Sequence, residues 1–174
     1  MTSGQKKCLQ FWKKYASSLA PALKDTNIFI ATAVAQKCLE SGFGTSPLAV
    51  NYNNFGGIKG RPAYSSGKTS EGWAIFPSAE ACFKSYATFI NTVRTNYGLR
   101  YEKALNANSP EDQIYWMVYA GYCSYPDMTL EQGARYYLSK CKGFVSILNQ
   151  KGIGGKVGLG GLSISSLINT NLEI

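Results

Sequence analysis

Apolar residues recur at three- and four-residue steps along most of this chain, which predicts a mainly helical protein. From residue 5 to residue 20, Cys8, Trp12, Tyr15 and Leu19 form a stripe with Lys6, Lys7, Lys13 and Lys14 outside it. That is an amphipathic helix whose apolar face packs on its own domain. Pro21 and Asp25-Thr26-Asn27 mark a break, and the three polar residues cap a second helix. In this second helix Ala31, Val34, Ala35, Cys38 and Leu39 share one face. Gly42 and Gly44 stop it. Ser78 caps a third helix with the stripe Cys82, Tyr86, Phe89, Ile90 and Val93, and Glu80 sits in its first turn, where the helix dipole welcomes an anion. Tyr97 to Ala107 reads as a short helix. Ser109-Pro110-Glu111-Asp112 is a strong helix start, followed by the apolar face Ile114, Met117 and Val118. Thr129-Leu130-Glu131-Gln132 matches a capping box, followed by Ala134, Tyr137, Leu138, Cys141, Val145 and Leu148.

One stretch breaks the helical rhythm. Gly44 to Ser78 is rich in Gly, Pro, Ser and Asn. Short strand-like pieces around Arg61–Tyr64 and Trp73–Phe76, joined through Ser65-Ser66-Gly67, predict a small β lobe. The end of the chain also changes character. Glycines punctuate residues 152 to 161, then Ser and aliphatic residues follow. A plain Gly/Ser linker holds fewer aliphatics. The division is a domain over 1–150 and a tail over 151–174. Disorder, a strand added to a partner and an arm for oligomer or phage-particle contact all stay open for that tail.

Composition narrows the chemistry. At 174 residues, one domain buries a core without staples. The net charge of +8 points to anionic partners such as a cell wall, a membrane surface or nucleic acid. No recognisable nucleic-acid motif accompanies the basic residues, which are spread along the chain. The chain has no histidine, which excludes Ser-His-Asp and Cys-His hydrolases in their usual forms and the common His-ligated zinc sites. Carboxylates, Tyr, Lys and hydroxyls remain, and glycoside hydrolysis runs on carboxylates alone, without metal or cofactor. Five scattered cysteines without a Cys-x-x-Cys pair predict buried free thiols and synthesis in a reducing compartment. The N-terminus lacks the apolar core of a signal peptide, and no run is long and apolar enough to span a bilayer. A wall enzyme of this kind is expected to leave by lysis, by an injector or within a phage particle.

The candidate chemistry centres on Glu40, in the last turn of the second helix. The negative end of the helix dipole disfavours a carboxylate there and favours the neutral acid, which suits a general acid. Leu39-Glu40-Ser41-Gly42-Phe43-Gly44 followed by Asn53-Asn54-Phe55-Gly56-Gly57-Ile58-Lys59 resembles the signature of the peptidoglycan glucosaminidases of glycoside hydrolase family 73. The two motifs come in the family's order and at family-like spacing. The resemblance spans residues 5 to 150 and implies a mainly α (α+β), lysozyme-like helical body with a small β-hairpin lobe flanking a substrate groove. A second acid in the family stands in a Thr-x-Glu setting on such a hairpin, which here is Thr69-Ser70-Glu71. Ala120-Gly121-Tyr122-Cys123-Ser124-Tyr125-Pro126 is similar to the family's Gly-Tyr-Ala-Thr-Asp-Pro segment. Gly121, Tyr122 and Pro126 match. Tyr125 stands where the family carries Asp, so that Asp's role is unfilled.

The resemblance implies peptidoglycan glycan strands as substrate and cleavage of the β-1,4 bond after N-acetylglucosamine. Glu40 would protonate the leaving oxygen, Glu71 would activate water from the other face, and Tyr122 would line the cleft beside the reacting sugar. Asn53, Asn54 and Phe55 would shape the cleft floor, with Tyr125 in the same substrate-binding set. A water-activating pair needs about 6.5–9.5 Å between carboxyls and a covalent route about 5–5.5 Å, while the sugar's own acetamide is a third nucleophile. Two other readings remain: a muramidase or lytic transglycosylase on the same fold, and a catalytically silent wall-binding or structural phage module.

Overall fold

The molecule is built around one helix that is buried on nearly every side. The computed structural model describes residues 1–158 and 160–174. Helix α1 spans Ser3–Leu23 and α2 spans Ile30–Ser41. Every residue of α2 from Ile30 to Cys38 is buried. Three alanines on it let its neighbours approach closely, and a helix buried nearly all round belongs in the middle of a bundle. It packs against α1 and, further along the chain, against α6 (Pro110–Tyr119) and α7 (Leu130–Gln150). Helix α4 (Ala79–Thr92) closes the bundle against α1.

The caps behave as the sequence predicts. Ser78 and Ser109 accept the N–H groups of Ala81 and Asp112, and the Thr129–Gln132 capping box is closed from both sides. Helix α1 runs one turn past its expected end at residue 20, with Pro21 inside it. Pro21 cannot donate to the Ser17 carbonyl, and the helix ends two residues beyond it. The short helix α3 (Pro47–Tyr52) was not expected, although Ser46-Pro47 carries the same cap-then-proline signal as Ser109-Pro110.

Helix α2 begins without a side-chain cap. Asp25-Thr26-Asn27 does not supply one. The chain's far end does: Ile30 N–H donates to the Gly155 carbonyl at 2.8 Å and Ala31 N–H to that of Gly154 at 3.3 Å. Phe29 N–H donates to buried Gln113 Oε1 at 2.9 Å. Residues 153–158 and 160–172 therefore belong to the body of the domain. Ile153, Val157, Leu167 and Leu172 are buried, and the short helix α8 (Ile164–Ile168) lies against α1.

The β lobe sits where expected, with its strands displaced. Gly67–Lys68 (β1) pairs antiparallel with Ala74–Ile75 (β2), and Lys59 bridges to Trp73. The first arm therefore lies beyond Arg61–Tyr64, and Thr69 to Gly72 forms the turn, closed by Gly72 N–H to Thr69 O at 3.0 Å. Gly72 takes φ +88°, which a side chain resists. A second hairpin, Arg94–Thr95 (β3) with Gly98–Leu99 (β4), replaces the first half of the expected 97–107 helix, leaving α5 over Glu102–Leu105. The five cysteines are free: Cys8, Cys38, Cys82 and Cys141 are buried and Cys123 is half-buried.

Candidate active site

Glu40 is the penultimate residue of α2, and the chain reverses directly after it. Gly42, Phe43 and Gly44 all take positive φ, with Gly42 as the left-handed cap. Buried Ser41 fixes this turn. Its hydroxyl donates to the Lys37 carbonyl at 2.5 Å and accepts from Gly44 N–H at 2.8 Å. The Glu-Ser-Gly run is thus a helix stop that leaves the carboxyl at the edge of a cleft, with 17% of the side chain exposed.

The cleft has a volume of about 380 Å³. Glu40 and Lys37 form one wall, and Gly56, Ile58 and Pro62 of the lobe another. Ser85, Tyr86 and Phe89 of α4, the loop Tyr122–Tyr125 and Tyr137 of α7 complete it. Among the described residues lining it, Glu40 is the one carboxylate.

Both oxygens of that carboxyl are engaged. Lys37 Nζ lies 2.8 Å from Oε2, and the Tyr137 hydroxyl donates to Oε1 at 2.9 Å. Lys37 also donates to the Tyr122 hydroxyl at 3.3 Å and sits 4.4 Å above the Tyr86 ring. The sequence reading expected an acid standing alone at the negative end of a helix. The structure corrects this by placing a cation three residues back, on the same helical face. The signal was readable in principle: Lys37 is the one cation of this helix and sits one turn before Glu40, and it is 1% exposed.

Burial, then the nearby Glu40 charge, pushes the Tyr137 and Tyr122 hydroxyls far above the ordinary tyrosine range. Both stay protonated and able to donate at any working pH. Burial also raises Tyr125, to about 12. Its ring meets that of Tyr136 edge-on at 5.1 Å, and Gly133 leaves room for it on α7, where an added Cβ would lie 3.2 Å from the ring.

The other expected site residues divide. Tyr122 and Tyr125 line the cleft beside Glu40, whereas Asn53, Asn54 and Phe55 do not. Phe55 is buried in an aromatic cluster, 5.0 Å from Tyr15 and 5.1 Å from Phe83 between ring centres. Asn54 is a buried clamp: its amide donates to the carbonyls of Ile58 at 2.8 Å and Ala74 at 3.0 Å, and its oxygen accepts from Ile58 N–H at 2.9 Å. Asn53 donates to Phe76 O at 3.1 Å. The Asn54 amide is fully engaged, and Asn53 spends one donor on the Phe76 carbonyl. They pin the Gly56–Ile58 loop, which does line the cleft. Glu71 lies exposed on the β1–β2 turn, outside the cleft lining. Its own backbone N–H and the hydroxyls of Thr69 and Ser70 hold its carboxyl below the ordinary range. Tyr86 and Tyr137 had been read only as members of apolar stripes.

Residues 16–146 match the glucosaminidase family, described as mannosyl-glycoprotein endo-beta-N-acetylglucosaminidase. No curated protein sequence matches the chain. Solved structures that share its fold include the following three. One is a type VI secretion system effector–immunity complex from Pseudomonas protegens, 17% identical with a TM-score of 0.62, covering 82% of this chain and 94% of that one. Another is the catalytic domain of the autolysin Auto from Listeria monocytogenes, 21% identical with a TM-score of 0.60, covering 86% of each chain. The third is the glycoside hydrolase domain of FlgJ from Salmonella typhimurium, 18% identical with a TM-score of 0.57, covering 82% and 91%.

Proposed function

Because the chain belongs to the glucosaminidase family, we propose that it is a peptidoglycan glycosidase cutting the β-1,4 bond after N-acetylglucosamine, with Glu40 as the general acid. The observation that carries this reading is the cleft itself: Glu40, the one carboxylate among its described lining residues, is held at the edge by Lys37 and Tyr137. Such a group, positioned against the leaving oxygen, is worth about 10²–10⁴ in rate. The autolysin and glycoside hydrolase domains that share the fold support a wall glycan as substrate.

In this reading a strand lies across the cleft, with Tyr122 beside the reacting sugar and the Tyr125 ring offering an apolar face to a neighbouring one. Glu71 is the second carboxylate. It is ionised, as a water-activating base must be, and the role requires the β1–β2 turn to approach the cleft once a glycan is bound. Asn53, Asn54 and Phe55 contribute through the loop they hold. The site of action is the cell wall. Delivery as a phage or injected lysin is consistent with the effector complex among the fold's relatives. Among the described residues no helix is long and apolar enough to cross a membrane.

Digesting purified sacculi with the protein and reading the new ends by mass spectrometry tests the proposal. Reducing N-acetylglucosamine ends are expected. A cleft lined by one carboxylate also fits a lytic transglycosylase, which would leave anhydromuramic ends, and a muramidase would leave reducing muramic ends. No new ends at all would support a silent wall-binding module.

A further inference from the structure

Lys37 is a full positive charge with 1% of its side chain exposed, and it touches the wall of the cleft. Burying an ammonium is expensive unless it is paired and hydrogen-bonded, so its place in the fold needs a reason. Packing supplies none: a methionine would fill the same stem volume without the charge.

Its partners are fixed from several sides. Glu40 Oε2 lies at 2.8 Å, the Tyr122 hydroxyl at 3.3 Å and the Tyr86 ring face at 4.4 Å. The main chain at Gly56 closes over the pair. A Cβ there would lie 2.9 Å from Lys37 Nζ and 3.3 Å from Glu40 Oε2. The lobe loop thus lies against the ion pair, and a larger residue there would have to displace it.

The other titratable groups facing the pair are Cys82 and Tyr86 of α4, Tyr122 and Cys123 of the loop between α6 and α7, and Tyr137 and Cys141 of α7. Burial raises every one of them, so at neutral pH each is uncharged. Lys37 and Glu40 are the charges that face each other here.

The two donors to Glu40 differ in kind. An ammonium has three donors and no lone pair, whereas a tyrosine hydroxyl both donates and accepts. A proton on Oε2 would meet the Lys37 ammonium head-on. A proton on Oε1 needs only a rotation of the Tyr137 hydroxyl, which then accepts. The carboxyl is therefore asymmetric.

We infer that Lys37 is a positioning residue for the reaction at Glu40: it fixes Oε2, leaves Oε1 to carry the transferable proton, and sets the pH range over which that proton is available. The inference rests on the reading of Glu40 as the acid. During the step, the proton passes from Oε1 to the glycosidic oxygen as the bond from carbon to that oxygen breaks. Lys37 keeps its protons throughout and stabilises the carboxylate that forms.

The test is the carboxyl titration of Glu40, followed by carbon-13 NMR in glutamate-labelled protein and assigned with Glu40→Gln. Lys37→Met removes the charge and keeps the volume. Lys37→Gln is a second neutral variant should the first not fold. Gly56→Ala keeps both charged residues and drives a Cβ against Lys37 Nζ and Glu40 Oε2. Loss of an opposite charge at this range moves a carboxyl midpoint up by on the order of one pH unit or more. The alkaline limb of kcat should move the same way, with KM little changed. Superposable titrations and pH profiles in wild type and the neutral variants would overturn the inference, even with full glycosidase activity. Failure of the functional reading looks different: a wild type that releases no sugar ends.

Discussion

Asn54 carries more of the site than its distance from the chemistry suggests. Its buried amide satisfies the Ile58 and Ala74 carbonyls and accepts from Ile58 N–H, so one side chain ties the cleft-lining loop to the β2 strand. Asn54→Ala leaves those groups unpaired in the interior and should cost about 2–4 kcal/mol in a denaturant titration. A loss within experimental error would show that the loop is held elsewhere. Tyr137→Phe removes only the hydroxyl on Glu40 Oε1. A hydrogen bond to a charged group is worth about 1.5–3 kcal/mol, so the melting temperature should fall by several degrees and kcat, read on the folded variant, at least tenfold. An unchanged kcat would remove Tyr137 from the catalytic set. At this scale the sequence was legible where local rules act. Glu40 at a helix stop and Tyr122 beside a glycine were both readable. The family resemblance places Asn53, Asn54 and Phe55 on the cleft floor, but which way a side chain points is decided by the tertiary partners. The same limit hid Tyr137, whose role exists only once α2 and α7 meet.

Among the elements, the helices follow from caps and periodicity, because both signals lie within a few residues of each other. Ser78, Ser109 and Thr129 illustrate this. The strands do not, since two-residue ladders leave almost no alternation to read. The first arm of the lobe is therefore displaced from Arg61–Tyr64 to Gly67–Lys68, and β3–β4 stands where a helix was expected. The displacement matters for Glu71, which it moves from an arm onto the turn. If that turn closes over bound glycan, Glu71→Gln should lower kcat by tenfold or more on sacculi and leave the fold intact. Its lowered range also fixes a sign. The carboxylate is present above that range and lost as pH falls through it, so a Glu71-dependent step persists to more acidic pH than an ordinary glutamate would allow. Wild-type rates from Glu71→Gln would eliminate it and favour the substrate's acetamide as nucleophile.

Over the whole molecule, the two ends of the chain are joined. The carbonyls of Gly154 and Gly155 cap the N-terminus of α2, and Ile153, Val157, Leu167 and Leu172 are buried. The sequence left the tail's role open because its partners lie more than a hundred residues away, beyond the reach of any local pattern. Ending the chain at Gln150 exposes this apolar surface and orphans the first N–H groups of the central helix. At about 1.5–3 kcal/mol per side chain, the loss is on the order of 5–10 kcal/mol, comparable to the stability of a whole domain. The shortened protein should be unfolded or heat-labile by circular dichroism, and a native melting curve would contradict this. Since the tail seats the start of α2 and Glu40 lies at its end, activity should vanish with the fold. The most direct measurement is the rate at which purified wild type and Glu40→Gln release sugar ends from the same sacculi, with both shown to be folded. The account predicts a drop of about 10²–10⁴ in the variant. Equal rates would contradict it.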